Sequence, residues 1–116
     1  MKTVYISGAV TSDPNFRTKF DKAEKLLYIK GYKPLNPVKG EEDGKDWSYY
    51  MKKDIQKLLS CDAIYVLSDW YDSKGARLEI NIALELGLEV ILEGELWWQR
   101  RAYIYLLAKQ DMRTMI

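Results

Sequence analysis

Hydrophobic residues cluster in short runs along the chain, and these runs predict four β-strands. Each run is rich in β-branched or aromatic residues, as strands are. The runs read KTVYI at 2–6, YKPLNPV at 32–38, DAIYVLS at 62–68 and EVIL at 89–92. The second is expected to be the weakest strand, because its prolines cannot donate backbone hydrogen bonds.

Apolar residues at helical spacing predict a helix after each strand. The first helix is expected to be capped by Ser12 or Asp13, and the second by Asp46. The third covers 73–87, and a fourth, aromatic-rich helix is predicted from 95 to about 109. This alternation predicts an α/β fold with a parallel sheet that helices cover on both faces. Ligands of such sheets bind at the carboxyl ends of the strands.

Composition narrows the chemistry that the chain can perform. Its 116 residues suit one compact domain, and its 18 basic and 17 acidic residues nearly cancel, so no general field attracts nucleic acid or an anionic membrane. Cys61 is the only cysteine, which excludes a disulfide within the chain. Histidine is absent, which together with the single cysteine excludes the usual zinc, haem and copper ligand sets and Ser-His or Cys-His catalysis. With no apolar run long enough for a signal peptide or a membrane span, we expect a cytoplasmic protein.

One acidic residue of the third helix lies on the face that should pack. The polar stripe of this helix contains Arg77, Asn81 and Glu85, whereas Glu79 falls near the opposite side among apolar neighbours. A carboxylate there is costly unless it is paired, hydrogen-bonded or open to a cavity. Glu79 is therefore either a structural or interface residue, or part of a ligand site at the carboxyl edge of the sheet.

Other candidate residues have an ordinary structural use beside a functional one. Asp54 also falls on an apolar helix face, and we interpret it as an acid that holds a nearby loop by a hydrogen bond. Asp62 lies at a helix-to-strand corner, where Asp is commonly a turn residue. Ser73 and Gly75 suit either a helix cap or a phosphate. The segment 70–72, WYD, suits either stacking on a flat ring or covering the core.

Four stretches within 3–92 carry a family resemblance, and they read VYISGAVT, NPV, YMKKDIQKLLSCDAIYVLSDW and SKGARLEINIALELGLEVI. Together they resemble the nucleoside 2-deoxyribosyltransferase superfamily, especially its small branch of phage and bacterial proteins of unassigned function, related to nucleoside 5′-monophosphate N-glycosidases. The resemblance implies a flavodoxin-like (Rossmann-like) three-layer sandwich with a parallel sheet of four to five strands. It also implies a homodimer or larger homo-oligomer, and chemistry without a metal or organic cofactor.

Matched position by position, the resemblance makes Glu79 the nucleophile and Tyr5 the hydroxyl that orients and ionises it. Asp62 would protonate the departing base, with help from Asp72. Where the transferases have an Asp that binds the sugar hydroxyl, this chain has Ser73, as in the relatives that hydrolyse nucleoside 5′-monophosphates. The residues expected to bind substrate are Ser73, Gly75 and Ala76 for the phosphate, Gly8 and Asn15 for the sugar, and Trp70 and Asp72 beside the base.

These expectations describe an N-glycosidase or 2′-deoxyribosyltransferase that cleaves a (deoxy)nucleoside 5′-monophosphate through a covalent glycosyl-enzyme intermediate. The alternative is a protein that binds a nucleotide or nucleotide-derived signal in the same pocket without cleaving it. A third interpretation is an interaction module that uses the aromatic tail. We expect 1–116 to form a single domain, with 95–116 as a helical tail used in oligomerisation.

Overall fold

The computed structural model of the protein describes residues 1–94. The elements, in chain order, are β1 (Thr3–Ser7), α1 (Phe16–Ile29), β2 (Lys33–Leu35), α2 (Trp47–Leu59), β3 (Ala63–Val66), a 3₁₀ turn (Trp70–Asp72), α3 (Lys74–Glu85) and β4 (Glu89–Leu92). The helix predicted from 95 to about 109, and the oligomerisation role of 95–116, lie outside the described residues. Within 1–94, no helix is long and apolar enough to cross a membrane.

The four strands form one parallel sheet in the order β2-β1-β3-β4. β1 pairs with β3 in a register that sets Tyr5 beside Ile64. This order is that of a flavodoxin-like sheet, and it confirms the predicted α/β fold with four parallel strands. As predicted, β2 is the shortest strand, with three residues.

Alternate residues of β1 point to opposite faces of the sheet and so divide the core in two. Val4 and Ile6 pack with buried residues of α1 on one face. Tyr5 lies on the other face in a cluster with residues of α2 and α3, such as Leu58 and Ile80. The result is a three-layer sandwich in which the side chains between β1 and α3 are buried.

The helix caps agree with the sequence at two of three helices. Asp46 accepts a hydrogen bond from the Tyr49 N–H at 2.8 Å, and Ser73 accepts one from the Ala76 N–H at 3.1 Å. The prediction for α1 was wrong, because the helix begins at Phe16, after Asn15. Asp13 instead accepts a hydrogen bond from the Asn15 N–H at 2.9 Å, which makes a local turn before the helix.

Candidate functional site

A cavity lies at the carboxyl edge of the sheet, where the chain leaves β1 and β2 and where α2 and α3 begin. This is the switch point between β1 and β3, the usual ligand position of flavodoxin-like sheets. The cavity has a volume of about 70 Å³, room for a few water molecules, and shares lining residues with an outer groove of about 420 Å³. The cavity lining comprises Tyr5, Ile6, Gly8, Val10, Thr11, Phe20, Pro37, Val38, Glu41, Trp47, Met51, Asp54, Ser73, Gly75, Ala76 and Glu79.

Glu79 lies at the inner end of this cavity, and only 4% of its surface is exposed. The Tyr5 hydroxyl donates a buried hydrogen bond to its Oε2 atom, and the Ser7 hydroxyl donates one to Oε1 at 2.8 Å. Tyr5 and Ser7 are two positions apart on β1, so both side chains face α3. No lysine or arginine within residues 1–94 forms a salt bridge with Glu79. Among the described residues, two hydroxyl groups therefore stabilise this carboxylate.

Burial dominates the electrostatics of Glu79 and raises its pKa to about 7. The hydrogen bonds from Tyr5 and Ser7 act in the opposite direction, and the negative charge of Glu41 adds to the rise. Burial and the nearby Glu79 charge also raise the pKa of Tyr5 well above its ordinary value, so its hydroxyl keeps its proton and remains a donor. The pKa of Glu79 thus lies far closer to neutral pH than that of an ordinary glutamate.

A second carboxyl group, Asp54 of α2, lines the same cavity. Burial raises the pKa of Asp54 to about 8, with further contributions from Glu41 and from the charge of Glu79, while Lys57 opposes the rise. Its Oδ1 atom is buried without a hydrogen-bond partner among the described residues, as is the Oε1 atom of Glu41. Asp54 therefore faces the cavity, and among the described contacts no loop amide donates to it.

Lysine and arginine side chains of α1 hold the loops around the cavity. Lys19 donates to the Ala9 carbonyl and to Asp13 Oδ2, each at 2.8 Å, and also pairs with Asp69 after β3. Arg17 donates to the Val38 carbonyl at 3.1 Å. These contacts connect the loops after β1, β2 and β3, so the cavity wall has a defined shape before any ligand binds.

Comparison with known proteins now identifies the family. The chain belongs to the family described as domain of unknown function DUF4406. Its family model matches residues 2–92, nearly all of the part that the structure describes. A search of curated proteins finds no significant match.

Two solved structures similar to this DUF4406 domain are both 2-deoxyribosyltransferases. The enzyme from Bacillus psychrosaccharolyticus is 21% identical with a TM-score of 0.62, and the match covers 81% of this chain and 75% of that one. The enzyme from Leishmania mexicana is 26% identical with a TM-score of 0.61, and the match covers 79% of this chain. The DUF4406 chain spans 63% of the Leishmania enzyme's length. These similarities confirm the fold that the sequence resemblance implied.

Three of the residues expected in the site are not brought to the cavity of the DUF4406 domain. Asp62 is exposed and precedes β3, where it accepts a hydrogen bond from the Thr3 N–H at 3.0 Å, so it lies at the amino edge of the sheet, opposite the cavity. Trp70 is 3% exposed and packs in the core. Asn15 is exposed and lies outside the cavity lining.

The other expected residues line the cavity or the outer groove. Ser73, Gly75 and Ala76 line the cavity with Gly8, and Asp72 lines the outer groove. The two glycines also permit close packing. A Cβ atom on Gly8 would lie 2.6 Å from Leu67 Cδ1, and one on Gly75 would lie 2.9 Å from Met51 Sδ.

Sequence reasoning missed three residues of the cavity region. Ser7 was detectable, because it follows Tyr5 at strand spacing and so faces the same side. Trp47, which is 40% exposed with Lys74 Nζ 4.2 Å from its ring centre, provides the aromatic surface that was expected from Trp70. Glu41 lies in an irregular loop, where no periodic pattern indicates the direction of a side chain.

Proposed function

We propose that this DUF4406 domain is an N-glycosidase or 2′-deoxyribosyltransferase that acts on (deoxy)nucleoside 5′-monophosphates. The observation that carries the proposal is the buried Glu79 carboxylate, which receives hydrogen bonds from Tyr5 and Ser7 and lines a cavity at the ligand-binding edge of the sheet. The fold shared with two 2-deoxyribosyltransferases supports it.

In the proposed reaction, ionised Glu79 attacks the anomeric carbon of the sugar. The bond from that carbon to the base nitrogen breaks, and an ester between the sugar and Glu79 forms. Tyr5 and Ser7 favour the ionised carboxylate and orient its oxygens. Because the pKa of Glu79 is about 7, a large fraction of the protein carries the nucleophile at neutral pH.

We assign protonation of the departing base to Asp54 rather than to Asp62. Asp54 lines the same cavity as Glu79, and its pKa of about 8 keeps it protonated at neutral pH, as a general acid requires. Water, or an acceptor base, then attacks the anomeric carbon and gives its proton to Asp54, and Glu79 leaves as a carboxylate. Each group returns to its starting protonation state.

The proposed phosphate site lies at the start of α3. Ser73 caps this helix, and the positive end of the helix dipole favours an anion there. Ser73 and Gly75 line both the cavity and the outer groove. Because the cavity is too small for a nucleotide, the sugar would approach Glu79 while the rest of the ligand occupies the groove.

The test is incubation of the protein with each ribo- and deoxyribonucleoside 5′-monophosphate, with and without a free acceptor base, followed by chromatography of the bases. We expect release or exchange of one class of base, and its loss in Glu79→Gln. Release that persists in a purified Glu79→Gln variant would contradict the nucleophile assignment.

A second candidate function is nucleotide binding without cleavage in the same pocket. The raised pKa of Glu79 favours it, because a protonated glutamic acid donates hydrogen bonds to a ligand but does not attack a sugar. This alternative predicts that no nucleotide is consumed, while calorimetry detects nucleotide binding by both wild type and Glu79→Gln.

We also propose that the chain forms a homodimer or larger homo-oligomer through its tail, 95–116. The aromatic and arginine residues in LWWQRRAYIYLL are of the types enriched at interfaces, which supports this role. Light scattering of the full chain and of a chain ending at Gly94 tests it, and the same number of subunits in both would contradict it.

A further inference from the structure

Glu41 has no role in the reaction proposed above, although it lines the same cavity as Asp54 and Glu79. It follows β2 in a loop, and its side chain is 14% exposed. Its Oε1 atom is buried and receives no hydrogen bond from the described residues. Within residues 1–94 the cation that pairs with Glu41 is Lys57 of α2, whose Nζ atom lies 3.9 Å from that oxygen and donates a hydrogen bond to the Pro37 carbonyl at 3.1 Å.

Asp54 also lacks a hydrogen-bond donor, since its Oδ1 atom is buried and receives no hydrogen bond from the described residues. Two ionised carboxylates offer each other only acceptors, and their charges repel. One proton between them provides the missing donor and removes one charge. The two catalytic carboxyl groups of aspartic proteases share a proton in this way.

We propose that Glu41 and Asp54 form a carboxyl–carboxylate pair that shares one proton, with Glu41 as the positioning residue that keeps this proton available on Asp54. The inference rests on the proposed function, because the shared proton is the one that Asp54 gives to the departing base. When the sugar–base bond breaks, this proton moves to the base nitrogen and the pair becomes doubly ionised. The incoming water or acceptor base then returns one proton to the pair.

Charged and titratable groups face Asp54 from each element packed around it. They are Glu41 in the loop after β2, Glu79 on α3, Tyr5 on β1 and Lys57 on α2. Lys57 is the only cation among them and lowers the pKa of Asp54, whereas Glu41 and Glu79 raise it. Because Glu41 also raises the pKa of Glu79, its charge affects both carboxyl groups of the reaction.

The test compares the pH dependence of kcat/KM in wild type, Glu41→Gln and Glu42→Gln. Glu42 is the matched control, because it is the neighbouring acid of the same loop, is exposed and lies outside the cavity lining. In Glu41→Gln, we expect both limbs of the profile to move to lower pH, and kcat/KM at pH 8 to fall about tenfold for each unit by which the alkaline limb moves. Glu41→Asp should restore part of the wild-type profile. A pH profile of kcat/KM in Glu41→Gln with both limbs unchanged would overturn the proposal that the two carboxyl groups share a proton.

A second measurement separates failure of the pair from failure of the proposed function. Carbon-13 NMR of the side-chain carboxyl groups in the Glu79→Gln variant reports protonation without any substrate. A shared proton predicts that Asp54 loses its proton well above the ordinary aspartate value of about 4. Titration of Asp54 near that ordinary value would overturn the pair even if nucleotides are cleaved. A raised Asp54 titration that is lost in Glu79→Gln/Glu41→Gln, in a protein that cleaves no nucleotide, would uphold the pair and reject the reaction.

Discussion

Tyr5 and Glu79 are 74 positions apart in the sequence, yet the Tyr5 hydroxyl donates a buried hydrogen bond to the Glu79 carboxylate. The contact exists because β1 is an inner strand of the sheet. Helix α3 packs on the face of the sheet to which Tyr5 and Ser7 point. A strand residue thus lowers the pKa of a helix residue against the effect of burial, and this dependence can be measured.

Replacing Tyr5 by Phe should slow the reaction without changing the fold. Glu79 loses a donor that lowers its pKa, so the acid limb of the activity profile should move to higher pH. We expect kcat at pH 7 to fall by about tenfold to a hundredfold, the range for a buried group that loses its hydrogen-bond partner. Tyr28→Phe, at a position that is 73% exposed, is the matched control and should leave the profile unchanged.

Asp54→Asn should lower kcat strongly, whereas Asp62→Asn should leave it nearly unchanged. Asp54 lines the cavity, whereas Asp62 lies at the other edge of the sheet. We expect Asp54→Asn to reduce kcat by about 10²- to 10⁴-fold, the usual contribution of a general acid, and Asp62→Asn to retain activity close to wild type. Steady-state kinetics on both variants decides between the two acids. A large kcat loss in the Asp62 variant alone would contradict our assignment.

The protein should become less stable as the pH rises from about 4.5 to 7. In the unfolded chain Glu79 loses its proton near its ordinary pKa of 4.5, whereas in the folded protein its pKa is about 7. Between these values the folded state holds the extra proton, so the free energy of unfolding falls with pH, by about 3 kcal/mol in total for this group. Asp54 acts in the same direction up to a pH of about 8.

Urea unfolding at several pH values measures this dependence. Glu79→Gln removes the ionisable group, so its free energy of unfolding should decline less between pH 5 and pH 8 than that of wild type. Equal slopes for the two proteins would show that Glu79 is not the source of the pH dependence.

Gly8→Ala should destabilise the fold through contact with Leu67. The added Cβ atom would lie 2.6 Å from Leu67 Cδ1, and relieving this overlap should cost about 1–3 kcal/mol. Leu67→Ala by itself leaves a cavity. In the double variant it removes the Cδ1 and Cγ atoms of Leu67, which the new methyl group would meet at 2.6 and 3.0 Å, but keeps Cβ at 2.9 Å, so it relieves the overlap in part. A double-mutant cycle measured by urea unfolding should therefore show that the double variant is more stable than the sum of the single changes predicts. Additive free energies would argue against the overlap.

The amino-acid sequence by itself determined the local features of this protein. Apolar runs located the strands, Asp46 was correctly identified as a helix cap and Ser73 as a candidate for one. The helical period of 73–87 placed Glu79 on the packing face. These properties depend on residues a few positions apart, whose relative directions follow from the geometry of a strand or a helix.

Only the tertiary structure decided which side chains meet Glu79. Asp54 and Asp62 are eight positions apart by their numbers, yet α2 carries Asp54 into the cavity while Asp62 precedes β3 at the opposite edge. The tertiary structure likewise places Trp47 at the groove and Trp70 in the core. The physical reason is that strand order and the path of each crossover set these distances, and both arise from long-range packing that no local period encodes.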